Sequence, residues 1–198
     1  MTIPEHFAIA QTSLQKTSLD DAHENPMTKS QLVVYNFDTV KDWFQKAWEK
    51  ETGREIHLHS NDALYVDANG QPYFIEFKNG KLKKRSNTRM ELHLKMYESF
   101  FIMSHEMTHA GGVISEFEPS VDYSFHQMYY ILVYNGALNP PHDEKDSIRE
   151  KVKAMGNIPR FGLAQYERFL YRKVYTVTAE EFQRRFVDVW EHSGRCKS

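Results

Sequence analysis

Asp62, Glu76 and Lys78 have residue types and a spacing that could support metal-assisted phosphodiester chemistry. Glu76 and Lys78 stand two apart in the β-rich run Tyr73-Phe-Ile-Glu76-Phe-Lys78, so both project from one face of a strand. Ile75 and Phe77 project from the other face. A charged pair in such a run is costly to bury without partners. Asp62 opens the preceding β-rich run, Ala63 to Val66, and Ala68-Asn-Gly-Gln71 reads as the turn between the two. A loop of three or five residues puts Asp62 on the face of Glu76 and Lys78, whereas a two-residue loop puts it on the opposite face. Two carboxylates a few ångströms apart form a hard oxygen site for Mg²⁺ or Mn²⁺. The ion would polarise a phosphoryl oxygen and acidify a bound water, while the lysine orients that water or offsets charge at phosphorus. Lys81, Lys83, Lys84 and Arg85 lie beyond in a tract without acids and could hold a phosphate backbone. A Glu–Lys ion pair on a half-exposed strand, with a solvated basic loop after it, has the same pattern.

A second constellation is His105-Glu106-Met-Thr-His109, a literal H-E-x-x-H. On a helix, His105 and His109 share one face and could ligate Zn²⁺, with Glu106 as general base of a metallopeptidase. Gly112 fits the extended metzincin pattern, but Ser115 stands where that pattern needs its last histidine. Glu116, Glu118 and Asp122 are the downstream acids available as a third ligand. Alternatively, the two histidines continue the Tyr97–Phe101 stripe and cap a core face, favoured there by the helix dipole. His57 and His59 would share a strand face near Asp62, Lys95 and Glu98 would form an i,i+3 pair or line the site, and Tyr129, Tyr130 and Tyr134 suit either base stacking or core packing.

The elements that must position these groups are legible as periodicities. Asp38 to Thr52 reads as a helix capped by Asp38, with Val40, Trp43, Phe44, Ala47 and Trp48 on one stripe and Gly53 as its stop. Residues 55–67 hold one or two short strands, and residues 88–110 form the longest helix, with Met90, Leu94, Tyr97 and Phe101 on a shared face. Gln127 to Tyr134 is a buried strand. Helices are expected near 147–155 and 160–171, then a short strand from Val174 to Val177. A last helix is capped by Thr178, with Phe182, Phe186, Val189 and Trp190 inward. Residues 1–31 read as a polar arm and 32–198 as a single domain.

The 198 residues are 40% hydrophobic and 26% charged with net charge −2, which suits a globular domain and excludes a collagenous or wholly disordered chain. Contact with a polyanion must then come from local basic patches. One cysteine, Cys196, excludes a disulfide framework and a cysteine-based zinc site. No apolar run approaches the roughly 18 residues that span a bilayer, and no signal peptide is evident, so a cytoplasmic address and no membrane partner are expected.

Asn61-Asp62-Ala-Leu-Tyr-Val66, the turn, and Tyr73-Phe-Ile-Glu76-Phe-Lys78-Asn-Gly80 resemble the core of the PD-(D/E)XK nuclease-like superfamily. The helix with Tyr97-Glu-Ser-Phe-Phe101 after the motif is similar to bacterial and phage-associated members. The resemblance covers about residues 38–135, and Asn61 stands where the family's name has proline. It implies an α/β fold, a mixed β-sheet flanked by helices with a restriction-endonuclease-like α-β-β-β-α-β core. It also implies Asp62 and Glu76 as ligands of Mg²⁺ or Mn²⁺, Lys78 as catalytic lysine, and nucleic acid, DNA first, as partner. Many members carry a further acid on the first helix, for which Glu49 and Glu51 are the candidates. Some members have lost catalysis and only bind.

Overall fold

The structure is a computed structural model that describes residues 5–19, 25–82, 87–110, 120–140 and 158–195. Its elements in chain order are α1 (Glu5–Ile9), β1 (Gln11–Ser13), α2 (Leu14–Thr17), β2 (Val33–Asn36), α3 (Phe37–Thr52), β3 (Ala63–Val66) and β4 (Pro72–Lys78). Next come α4 (Asn87–Ala110), α5 (Val121–Gln127), β5 (Tyr129–Tyr134), a 3₁₀ turn (Leu163–Tyr166) and β6 (Lys173–Thr178). The last helix runs as α6 (Ala179–Phe182), a π turn (Gln183–Val187) and α7 (Asp188–Arg195). The strands form one six-stranded sheet in chain order. β1 to β4 pair antiparallel, and β4, β5 and β6 pair parallel. This is the expected mixed sheet flanked by helices.

The sheet is a shared wall between two cores. On one face Leu64, Phe74, Tyr130 and Leu132 pack with Phe37, Val40 and Phe44 of α3 and with Leu92, Met96 and Ile102 of α4. On the other, Val34, Ile75, Phe77, Ile131 and Val133 pack with Phe182, Phe186, Val187 and Trp190. A sheet covered on both faces needs near-continuous apolar strands, and β5 is buried at every residue except Tyr129.

The structure departs from the sequence reading where tertiary partners outweigh local pattern. The segment read as a polar arm is part of the fold: β1 pairs with β2, and Phe7, Ala10 and Leu14 are buried. Between α3 and α4 stand two strands, so the order is not the expected α-β-β-β-α-β; the third antiparallel strand is β2, ahead of α3. Residues 54–61 form no strand because side chains take their backbone donors. The Leu58 N–H donates to Gln45 (2.7 Å), that of His59 to Glu98, and that of Asn61 to Ser99 (2.8 Å). Asn36, not Asp38, caps α3, its side chain accepting from the Thr39 N–H at 3.2 Å. Gly53 ends that helix in the left-handed region, as expected.

The predicted core stripe of α4 faces outward: Met90, Leu94, Tyr97 and Phe101 are exposed, while Leu92, Met96, Ser99, Ile102 and Met103 are buried. Apolar residues recur at helical spacing on both sides of α4, so periodicity alone does not select a face. The helix expected at 160–171 is replaced by turns, with positive φ at Phe161, Gly162 and Arg168. The helix expected near 147–155 lies outside the described residues. In the last helix Val187 is buried and Val189 exposed, because the π turn inserts a residue and rotates the helix beyond it.

Thr178 forms the predicted capping box: its hydroxyl accepts from the Glu181 N–H (3.2 Å), and the Glu181 carboxylate accepts from the Thr178 N–H (2.9 Å). Thr178→Ala is expected to cost about 1 kcal/mol, read as a lower urea midpoint at unchanged slope.

Candidate metal and nucleic-acid site

The β3–β4 hairpin sets the geometry. Val66 pairs with Pro72, which leaves residues 67–71 as a five-residue loop. Asp67 organises it, accepting from the Asn69 and Gln71 N–H groups at 2.8 and 2.9 Å, while Gly70 takes φ 78°. The odd loop length has the consequence expected from the sequence. Ala63 pairs with Ile75, so Asp62 lies across from Glu76, on the face that looks toward α4.

Four ionic side chains converge there. Lys95, reaching down from α4, donates to Glu76 Oε1 (2.7 Å), Glu76 Oε2 (3.0 Å) and Asp62 Oδ1 (3.2 Å). Lys78 donates to Glu76 Oε1 at 2.8 Å. The second Asp62 oxygen accepts the Phe77 N–H at 2.6 Å. Glu76 has no exposed surface, whereas Asp62 keeps 19% and Lys78 22% of theirs. A buried carboxylate is tolerable only when its oxygens are satisfied by charged donors, and here they are.

Burial, and after it the adjacent Glu76, pushes the Asp62 carboxyl up to about 7; Lys95, Lys78 and the Phe77 N–H act in the opposite sense. Lys95 is held above the ordinary lysine range: burial opposes its charge, but Glu76 and Asp62 outweigh it. Asp62 is therefore poised to exchange a proton near neutral pH, while Lys95 stays cationic.

Asp62 and Lys78 open into a cleft of about 550 Å³, also lined by Lys16, Ser18, Asn36, Asp38 and Asn79. Asp38 is an acid on the first long helix that sequence reasoning placed only as a cap; its carboxylate accepts the Ser60 hydroxyl and faces the cleft. Glu49 and Glu51, the candidates for such an acid, are exposed at the far end of α3. Lys16 reaches the cleft because the N-terminal segment packs into the fold. The signal for Asp38 was its place in the first helical turn, one turn from an apolar stripe; Lys16 carried no signal.

The chain matches no protein-family model, no curated protein and no solved structure.

The remaining candidates are placed thus. Lys95 and Glu98 do not pair with each other, since Glu98 accepts from the His59 backbone and meets His59 Nδ1 at 2.9 Å. His57 is exposed and lies 3.9 Å from Glu55. Lys81 is exposed, and Lys83, Lys84 and Arg85 lie outside the described residues. His105 sits edge-on to Phe44, with ring centres 5.0 Å apart, and its Nδ1 is 3.8 Å from Glu106. The side chain of His109, together with Glu116 and Glu118, lies outside the described residues; Asp122 is on α5, beside His126 at 3.4 Å. Tyr130 is core, and Tyr134 accepts from Arg160 at 2.7 Å. Among the described residues no group of three or more His, Cys, Asp and Glu gathers for a metal, and no helix is long and apolar enough to cross a membrane.

Two carboxylates nonetheless suit Mg²⁺, which keeps several waters and commonly takes one or two protein carboxylates plus phosphate oxygens. The ammonium of Lys95 bridges the same oxygens such an ion would use. Binding the ion would require that ammonium to give way.

Proposed function

We propose that this protein is a cytoplasmic, divalent-metal-dependent phosphodiesterase acting on nucleic acid, DNA in the first instance. The observation that carries the reading is the opposition of Asp62 and Glu76 across β3 and β4, with Lys78 at their edge and a polar cleft in front. Asp62 and Glu76 would hold Mg²⁺ or Mn²⁺, which supplies charge stabilisation at a phosphoryl oxygen and an acidified water. Lys78, 2.8 Å from Glu76, is within reach of the cleft and offsets charge that develops on the phosphate as water adds and the P–O bond to the leaving oxygen breaks. Lys16 and the tract Lys81, Lys83, Lys84 and Arg85 supply cations for the flanking backbone. The double contact of Lys95 favours a second reading, a nuclease-like protein that binds without turnover, because the carboxylates already have a counter-ion.

The pH dependence of cation binding tests the site. Asp62 must lose its proton to act as a ligand, so affinity rises with pH until about 7 and then levels off. Calorimetric titration with Mn²⁺ is expected to give roughly tenfold tighter binding at pH 8 than at pH 6, with proton release at the lower pH. Equal affinity at both pH values, or no binding, removes Asp62 as a ligand. Cleavage of a labelled DNA duplex and single strand in the presence of Mn²⁺ then separates turnover from binding alone. Zinc bound stoichiometrically and lost in His105→Ala would instead favour the peptidase chemistry of His105, Glu106 and His109.

A further inference from the structure

The acid pair is already neutral without a metal. Asp62 and Glu76 face Lys95 and Lys78, and the cleft in front adds Asp38 and Lys16, one charge of each sign. Lys95 directs all three of its ammonium protons at the pair, over 2.7, 3.0 and 3.2 Å. The remaining oxygen, Asp62 Oδ2, accepts the Phe77 N–H, so each carboxylate oxygen has a donor. Glu76 is sealed. What surface the cluster keeps belongs to Asp62, Lys78 and Lys95, the last with 16% of its side chain exposed.

That arrangement is a cation site with an ammonium in it. A divalent ion bound by both acids would lie roughly 2.1 Å from the oxygens that Lys95 now bonds, and two cations cannot share that space. Charge gives the same answer. A lone divalent ion would add two uncompensated charges to a neutral, largely buried cluster, whereas an ion accompanied by a phosphodiester adds only one. The phosphodiester is also an anion suited to receive Lys95, because an ammonium binds phosphate oxygens as a compact point charge. The helix that carries Lys95 stays in place. One turn beyond it, the Glu98 carboxylate accepts the His59 N–H and the Ser99 hydroxyl accepts the Asn61 N–H at 2.8 Å. Only the flexible four-carbon stem has to swing.

We propose that Lys95 is a resident counter-ion that couples metal loading to the arrival of a nucleic-acid strand. It holds the acid pair closed to a free divalent ion and moves to a strand phosphate as the ion enters. The proposal rests on Asp62 and Glu76 being the metal ligands, and it holds equally if the protein binds strand and metal without turnover. Each ligand then tightens the other by the same factor.

The test is a set of calorimetric Mn²⁺ titrations at pH 8 on the full-length wild type and Lys95→Gln. Each is run with and without an oligothymidylate of phosphorothioate linkages, which keeps the diester charge and resists cleavage. The wild type alone is expected to bind Mn²⁺ measurably but weakly, and to gain at least roughly tenfold in affinity when the strand is present. Lys95→Gln alone should bind Mn²⁺ at least roughly tenfold tighter than the wild type alone, and should gain less from the strand. Lys78→Gln removes a charge from the same cluster but frees only Glu76 Oε1, so its gain without strand should be smaller than that of Lys95→Gln. Thermal unfolding reads the same competition from a marginally folded variant: Mn²⁺ should raise the Tm of Lys95→Met by several degrees more than that of the wild type. Equal Mn²⁺ affinity in the wild type and Lys95→Gln, equal gains in Lys78→Gln and Lys95→Gln, equal Tm shifts, or a wild type indifferent to the strand would each overturn the proposal. No Mn²⁺ binding by any of these proteins would overturn it together with the metal-dependent reading. Tight Mn²⁺ binding by Lys95→Gln, beside a wild type that shows the coupling and never cuts DNA, would remove turnover and leave the proposal in place.

Discussion

Glu76→Gln is expected to reduce metal-dependent cleavage by about 10³-fold in a protein that still folds, with stability lowered by about 3 kcal/mol as Lys78 and Lys95 lose their shared anion. Glutamine matches glutamate in shape, so the packing under β4 is kept. The charge is not. Both oxygens of Glu76 face ammonium groups, Oε1 meeting Lys78 and Lys95 at 2.8 and 2.7 Å and Oε2 meeting Lys95 at 3.0 Å. An amide presents one N–H₂ toward donors that need an acceptor, and it ligates a hard cation far less well than a carboxylate. The measurement is the initial rate on labelled DNA with Mn²⁺, beside circular dichroism spectra of both proteins. A Glu76→Gln variant that cuts at the wild-type rate would falsify the phosphodiesterase reading outright. A wild type that binds DNA and does not cut under any divalent cation would leave the binding-only reading standing.

The second large effect concerns stability. Lys95→Met should destabilise the protein by about 3–5 kcal/mol at pH 8, the cost of stranding buried carboxylates without their cation. The variant leaves Glu76 with Lys78 alone and Asp62 Oδ1 with no charged donor. The loss should shrink on acidification. An acid whose folded pKa is raised binds more protons folded than unfolded between its two pKa values, so stability falls as pH rises through that window. For Asp62 in the wild type the window runs from 3.8 to about 7. Removing Lys95 takes away a charge that holds the Asp62 carboxyl down, so in the variant the window reaches higher. Urea denaturation at pH 5 and pH 8 reads both slopes. The variant should approach the wild type at pH 5 and fall away at pH 8. Equal stability of the two proteins at pH 8 would show that Lys95 is not the counter-ion on which the acid pair depends.

Much of the candidate site could be read one residue at a time because strand geometry is rigid. Side chains alternate with a period of two, so Glu76 and Lys78 had to share a face, and a five-residue loop carries Asp62 to that same face. The capping box at Thr178, the stop at Gly53 and the buried run of β5 are likewise local decisions, made by groups within a few residues of each other.

Choices between equivalent surfaces were not legible locally. Helix α4 has apolar residues at helical spacing on two sides: Leu92, Met96 and Met103 on one, Met90, Leu94, Tyr97 and Phe101 on the other. The inward side is the one that carries Lys95 to Glu76 and Ser99 to the Asn61 N–H, contacts separated by 19 and 38 positions. The same long-range contacts hold 54–61 out of the sheet. Other tertiary contacts, the pairing of β1 with β2 and the burial of Phe7, Ala10 and Leu14, draw the polar N-terminal segment into the structure and bring Lys16 to the cleft. Taken alone, the sequence determined which groups could meet across a hairpin, because backbone period and loop length are short-range properties. Only the tertiary structure decided which further charges join them, because a buried acid pair recruits its cation from whichever distant element packs over it.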